Sequence, residues 1–218
     1  MIPEDVMTRF FQQKIPSYLE FWTFRKQVTM QLAAISFMTY IFSIGHRHPS
    51  RFHISCQTGK VWASDLMPSN LFNAAISNST FLFTNNEAVP FRLTPNFQHF
   101  ITDVGMEGVF STALMSIGRA LVEPVNEIHD YLGIFVRDEL VTWQQNGRKP
   151  PLPQEQLSEY VLQNVDLIIK RCQGVACLAE RDQPDRLEPL NQTILDLISQ
   201  AVNPLKLAQM DIAFLPQL

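Results

Sequence analysis

The chain has 218 residues, 46% of them hydrophobic and only 17% charged, enough to bury one domain-sized core beneath a surface poorer in charge than most soluble domains. Its net charge of −4 leaves no basic footprint for nucleic acid, and its start has neither the basic nor the apolar block of a secretory leader. Cys56, Cys172 and Cys177 are an odd number with no metal-like pairing, which suits reduced thiols in the cytosol or nucleus.

In chain order, the first forty-odd residues read as helices, the longest over 23–44. Its stretch 28–44 carries no charge, but Thr29, Gln31, Ser36, Thr39 and Ser43 interrupt it. It also falls short of the roughly 20 apolar residues that a bilayer requires. A buried core helix is expected instead of a membrane span, with Met30, Phe37, Met38 and Phe42 in the core.

Two β-prone runs, 52–56 and 61–64, flank a turn containing Thr58-Gly59 and predict a hairpin. Residues 67–86 are rich in Asn and Ser and read as irregular, with Phe81-Leu82-Phe83 a short strand. Helical signals return at 95–98, 107–121 and 126–145. Asn-Gly-Arg-Lys-Pro-Pro-Leu-Pro over 146–153 cannot continue a helix and reads as a linker. A helix over 154–178, a charged and proline-interrupted loop over 179–189, a helical spacing of Ile194, Leu197 and Ile198, and a last short helix from Asn203-Pro204 complete a mainly α chain with one short β-hairpin.

The chemistry-bearing segments come in a fixed order. Gly45-His46-Arg47-His48-Pro49-Ser50-Arg51 is followed by Asp65 at the end of the second hairpin strand, then by Leu66-Met67. Val89-Pro90-Phe91-Arg92-Leu93-Thr94 comes next, and Asn203-Pro204-Leu205 leads into a short apolar tail. Together they resemble the phosphatidylinositol-3-kinase-related kinases: a catalytic loop written Gly-Asp-Arg-His-Pro-Ser-Asn, a metal-binding Asp normally followed by Phe-Gly, the segment after the activation loop, and the C-terminal FATC segment. Within that family the chain is most similar to the pseudokinase scaffolds of histone acetyltransferase complexes, through Val89 to Asn96, Phe24-Arg25-Lys26, Gln31-Leu32-Ala33, Arg137-Asp138-Glu139-Leu140, Trp143 and Met210-Asp211. It keeps Arg47-His48-Pro49-Ser50, which the animal scaffolds have largely lost, and it ends in Gln217-Leu218 instead of a bulky aromatic pair.

The resemblance implies the larger, C-terminal lobe of a protein-kinase-like, PI3-kinase-like fold over 1–145, a linker and lobe helix over 146–190, and a FATC helical tail over 191–218. It also implies a loop stripped of its chemistry. The family's loop Asp handles the attacking hydroxyl and its Asn helps hold a metal ion; His46 and Arg51 stand in their places. Phosphoryl transfer needs a carboxylate near the nucleophile and oxygen ligands around Mg²⁺, and an imidazole and a guanidinium supply neither. The degenerate positions are His46, Arg47, His48, Arg51 and Asp65, and no catalytic residue, cofactor or metal is expected among them. Asp65 is expected to bond backbone amides rather than Mg²⁺, because one carboxylate rarely holds that ion without phosphate oxygens. A zinc site at His46, His48, His53 and Cys56 fits no standard spacing, since strand alternation sends His53 and Cys56 to opposite faces.

No Gly-rich phosphate loop occurs, so by resemblance the smaller lobe precedes this stretch in a far longer polypeptide. The surface left bare should be apolar, and the isolated chain 1–218 is expected to be poorly soluble and polydisperse in light scattering. The expected function is a non-catalytic scaffold in SAGA- or NuA4-type acetyltransferase complexes in the nucleus. Its partners would be other subunits, transcription activators and the remainder of its own polypeptide (the smaller lobe and helical repeats), with no membrane and no direct nucleic-acid contact. The alternative is an active serine/threonine kinase of the same family. Arg92 is expected to pair with Asp138 or Glu139, and Phe135, Leu140 and Trp143 to be helix core.

Overall fold

The computed structural model describes residues 3–45, 51–64, 66–69, 81–84, 87–102, 105–120, 125–146, 153–176 and 187–210. In chain order its elements are α1 (Val6–Lys14), α2 (Tyr18–Ile41), β1 (Phe52–Ile54), β2 (Val61–Ala63), α3 (Pro95–Thr102), a π-helical turn (Gly105–Phe110), α4 (Ser111–Ala120), α5 (Val125–Asn146), α6 (Gln154–Ala176), α7 (Leu187–Val202) and α8 (Pro204–Leu207). Helix α2 starts five residues before the expected boundary because Ser17 caps it, its hydroxyl accepting from the Glu20 amide. It ends at Phe42, where Ser43 turns into the left-handed region at φ 44°. None of the described helices is long and apolar enough to cross a membrane.

Phe21, Phe24, Val28, Leu32, Phe37 and Ile41 form the buried side of α2, which packs on the hairpin, α3, the π-helical turn and α4. Met30 and Met38 are not core: they are 38% and 42% exposed, on the far side of the helix from Val28 and Leu32. Phe42 is half-buried. An aromatic cluster joins α1, α2 and α3, with the Phe11 ring 4.8 Å from Phe24 and 5.7 Å from Phe100. Beside it Arg25, 3% exposed, donates to the backbone oxygens of His99 and Phe100 and lies over the Phe100 ring at 5.3 Å. One buried guanidinium thus closes the last turn of α3 and stacks on its aromatic.

The hairpin forms as the sequence predicts, with Phe52 opposite Ala63, His53 opposite Trp62 and Ile54 opposite Val61, and Gly59 supplying the positive φ of the turn. Gln31 of α2 pins it, its side-chain oxygen accepting from the Val61 amide at 2.6 Å. Phe81-Leu82-Phe83, by contrast, is a turn and not a strand. The Leu82 and Phe83 amides donate to Asn164 Oδ1 of α6, at 2.9 and 3.4 Å, rather than to a neighbouring strand.

Helices α5 and α6 pack together over Leu132, Val136, Leu140, Val165 and Ile168, with Trp143 also buried and Phe135 half-buried. Helix α7 runs longer than expected and buries Ile194, Leu197, Ile198 and Ala201. Helix α8 is four residues long, opened by Asn203, whose side chain accepts from the Leu205 and Lys206 amides. The tail beyond Met210 lies outside the described residues.

The Glu139 carboxyl on α5 is pushed above its usual range, first by burial and then by the neighbouring Asp138. A raised carboxylic pKa favours the folded state while the group is protonated, and that contribution is lost as pH rises through the raised value. Glu139→Gln should therefore raise the melting temperature at pH 7, by an amount worth a few tenths of a kcal/mol after screening of this half-exposed site. The gain should vanish near pH 4, and equal melting shifts at both pH values would contradict it.

Candidate functional site

The end of α2 and the foot of the hairpin are laced into one corner. Gly45 donates its amide to Met67 O at 2.9 Å, Ser69 donates to Ser43 O at 2.7 Å, and Ile44 bridges Pro68. Ser64 donates to Arg51 O at 2.8 Å. These bonds bring Gly45 and Arg51, which flank 46–50, and Ser64 and Leu66, which flank Asp65, to the same place. Gly45 is required there: a Cβ on it would sit 2.7 Å from the Ser69 Cα, inside any tolerable contact. His46, Arg47, His48 and Asp65 themselves lie outside the described residues.

A cavity of about 60 Å³ opens under this corner, walled by Leu32, Ile35 and Thr39 of α2 and by Phe91 and Ile44, with Arg51 and Arg92 both on its lining. Burial lowers the Arg92 pKa to about 10, which leaves it charged at neutral pH.

This lining tests whether a metal-bound nucleotide, which the family's chemistry requires, would fit. Among the described residues it offers two guanidiniums, the hydroxyls of Ser36, Thr39 and Ser64, and no carboxylate. Mg²⁺ takes carboxylate and phosphate oxygens in octahedral geometry, and a guanidinium repels it. The described lining alone supplies no ligand set for that ion, and an acid, Glu87, stands beside it, with one carboxylate oxygen 3.0 Å from where a Cβ on Gly45 would lie.

Two residues that sequence reasoning missed hold the corner from behind. Asn164 and Arg171, seven apart and so on one face of α6, reach the segment 81–84 together. Asn164 is fully buried and gives its Nδ2 to Tyr160 O at 2.9 Å while its oxygen takes the two amides. Arg171 donates to the backbone oxygens of Ile41 and Phe83 and to the Ser43 hydroxyl, joining the end of α2, the left-handed residue and the 81–84 turn through one fork. Burial lowers the Arg171 pKa, an effect that Tyr40 and Cys172 oppose; burial raises the Tyr40 phenol and the Cys172 thiol, and Arg171 opposes both. The available signal was their placement: Asn164 precedes buried Val165 and Arg171 precedes buried Cys172, in a register where polar groups need partners.

The chain is mainly helical with one two-stranded hairpin among the described residues, and its fold is PI3-kinase-like. The chain belongs to the phosphatidylinositol 3- and 4-kinase family, whose model matches residues 1–145. It is 37% identical over 226 residues to the SAGA complex/NuA4 acetyltransferase complex subunit TRA1 of Saccharomyces cerevisiae, across 99% of this chain and 6% of that protein. It is 27% identical over 188 residues to the transformation/transcription domain-associated protein of Homo sapiens, across 81% of this chain and 5% of that one. The chain thus spans only about 6% of the length of such relatives. Among solved structures, the FAT and kinase domain of CtTel1 aligns with a TM-score of 0.65 at 22% identity, over 97% of this chain and 13% of that chain, a likeness of fold.

Proposed function

We propose that this chain is the larger lobe of a pseudokinase over 1–145, continued by a linker and lobe helix over 146–190 and a FATC segment over 191–218, and that it acts as a non-catalytic scaffold in a SAGA- or NuA4-type histone acetyltransferase complex in the nucleus. The observation that carries the reading is Arg51: where the family's loop places a metal-holding Asn, a guanidinium lines the cavity beside Arg92. A guanidinium in place of that Asn supplies no oxygen ligand for the Mg²⁺ on which phosphoryl transfer depends. The similarity to TRA1 over 99% of the chain supports the assignment to such a complex.

The scaffold works by surface display. The lobe keeps its core and its laced loop foot, and its outer faces meet other subunits, transcription activators and the rest of its own polypeptide. Affinity purification of the full-length protein through a C-terminal tag, with mass spectrometry of what accompanies it, tests this. Acetyltransferase, deubiquitinase-module or bromodomain subunits are expected, and their absence would overturn the assignment.

A further inference from the structure

The joint between α2 and the loop corner is strained, and one distant side chain grips it. Ile44 donates its amide to Thr39 O at 3.0 Å and Ser43 donates to Tyr40 O at 3.2 Å, the pair of bonds by which a helix closes on a left-handed residue. Glycine is favoured at that position. A Cβ there crowds the following carbonyl, a penalty worth about tenfold in the balance between left- and right-handed backbone. The residue in place is Ser43, at φ 44° and fully buried.

What the serine gains is Arg171. Its hydroxyl accepts from the guanidinium, which also reaches the Ile41 and Phe83 backbone oxygens. Glycine would suit the backbone and offer the guanidinium nothing; serine strains the backbone and supplies the acceptor. Helix α6, which carries Arg171, lies beyond the 1–145 stretch that the family model matches, so the joint is gripped from outside that stretch. A relaxed, right-handed Ser43 would let α2 run on through it. Its carbonyl would then turn away from the Ser69 amide, which it accepts at 2.7 Å, and the neighbouring bond from Gly45 to Met67 O would be drawn open with it. One backbone rotation therefore separates the closed corner from an open one.

We propose that Ser43 is a strained latch: Arg171 of α6 holds it in the left-handed form, and without that grip it reverts, extends α2 and opens the loop corner. The inference concerns the lobe's own conformation and does not depend on the scaffold reading. The test is hydrogen exchange on the full-length protein, read at the Gly45, Ser69 and Leu82 amides. Ser43→Ala keeps the crowded Cβ and removes the hydroxyl, so exchange at Gly45 and Ser69 should accelerate about tenfold. Combined with Arg171→Met it should add little to what Arg171→Met does alone, because both break the same bond. Ser43→Gly removes the crowding instead. Added to Arg171→Met, it should slow exchange at Gly45 and Ser69 about tenfold relative to the single variant. Leu82, whose amide bonds Asn164, should stay as fast as in Arg171→Met. Unchanged exchange in α2 upstream of Leu32 separates an opened corner from a lost fold. Natural exchange rates in Ser43→Ala, no recovery on adding glycine, or an equal recovery at Leu82 would each overturn the proposal.

Discussion

Replacing Arg171 by methionine is expected to loosen the loop corner by about 3 kcal/mol, a loss concentrated in residues 43–45 and 81–84. The guanidinium is the shared donor for the Ile41 and Phe83 backbone oxygens and the Ser43 hydroxyl. Hydrogen bonds from a charged donor are worth about 1.5–3 kcal/mol each when their acceptors are left buried, and the three here are not additive because they share one side chain. Methionine keeps the apolar stem beside Cys172 and removes only the donors. In the full-length protein, hydrogen exchange at the Gly45, Ser69 and Leu82 amides should accelerate about a hundredfold, while exchange in α2 upstream of Leu32 stays unchanged. Arg171→Lys should recover only part of the protection, since one ammonium cannot reproduce a planar fork spanning three acceptors. Unchanged exchange at all three amides in the methionine variant would show that α6 does not hold the corner.

The second large effect is steric. Gly45→Ala places a Cβ 2.7 Å from the Ser69 Cα and 3.0 Å from a Glu87 carboxylate oxygen, and the first of these is backbone that cannot swing aside. The bridge between Ile44 and Pro68 must open, with the bonds from Gly45 to Met67 and from Ser69 to Ser43. A cost of about 2–3 kcal/mol is expected, typical of overpacking at a fixed contact. It should appear as new proteolytic cleavage around 43–51. Gly133→Ala is the matched control: its added methyl meets nothing, so the variant should be neutral or slightly stabilising through helix propensity. Equal cleavage in the two variants would mean that Gly45 is not held by the close approach.

The hairpin and the order of helices were legible because their signals are local. Thr58-Gly59 between two β-prone runs marks a turn, and Asn146 to Pro153 cannot continue a helix. The loop corner was legible as a string of motifs in the right order, and the structure brings the flanks of those motifs together at Gly45, Arg51, Ser64 and Leu66. Met30 and Met38 were misread because α2 is apolar nearly all round, and periodicity cannot choose a buried side where polar markers are few. Phe81 to Phe83 was misread for a related reason. An apolar triplet has the composition of a strand, but its backbone donors go to a side chain on α6, eighty-two residues on from Leu82. Arg171 and Asn164 escaped notice because every partner that matters is distant, the Ile41 oxygen by 130 residues. No local pattern encodes such pairs, and only a polar residue in an apolar helical register hints at them.

The central claim is that this lobe has kept the kinase fold and lost the reaction. The most direct measurement is ATP-dependent phosphate labelling by the full-length assembly, comparing the natural chain with Asp65→Asn. Asp65 is the position where the active family members hold their metal, so loss of labelling on that substitution assigns the activity to this site and not to a contaminating kinase. The scaffold reading predicts that any residual labelling is identical in the two preparations. Labelling that the natural chain supports and Asp65→Asn abolishes would contradict it, and would mean that His46 and Arg51 stand in a working kinase.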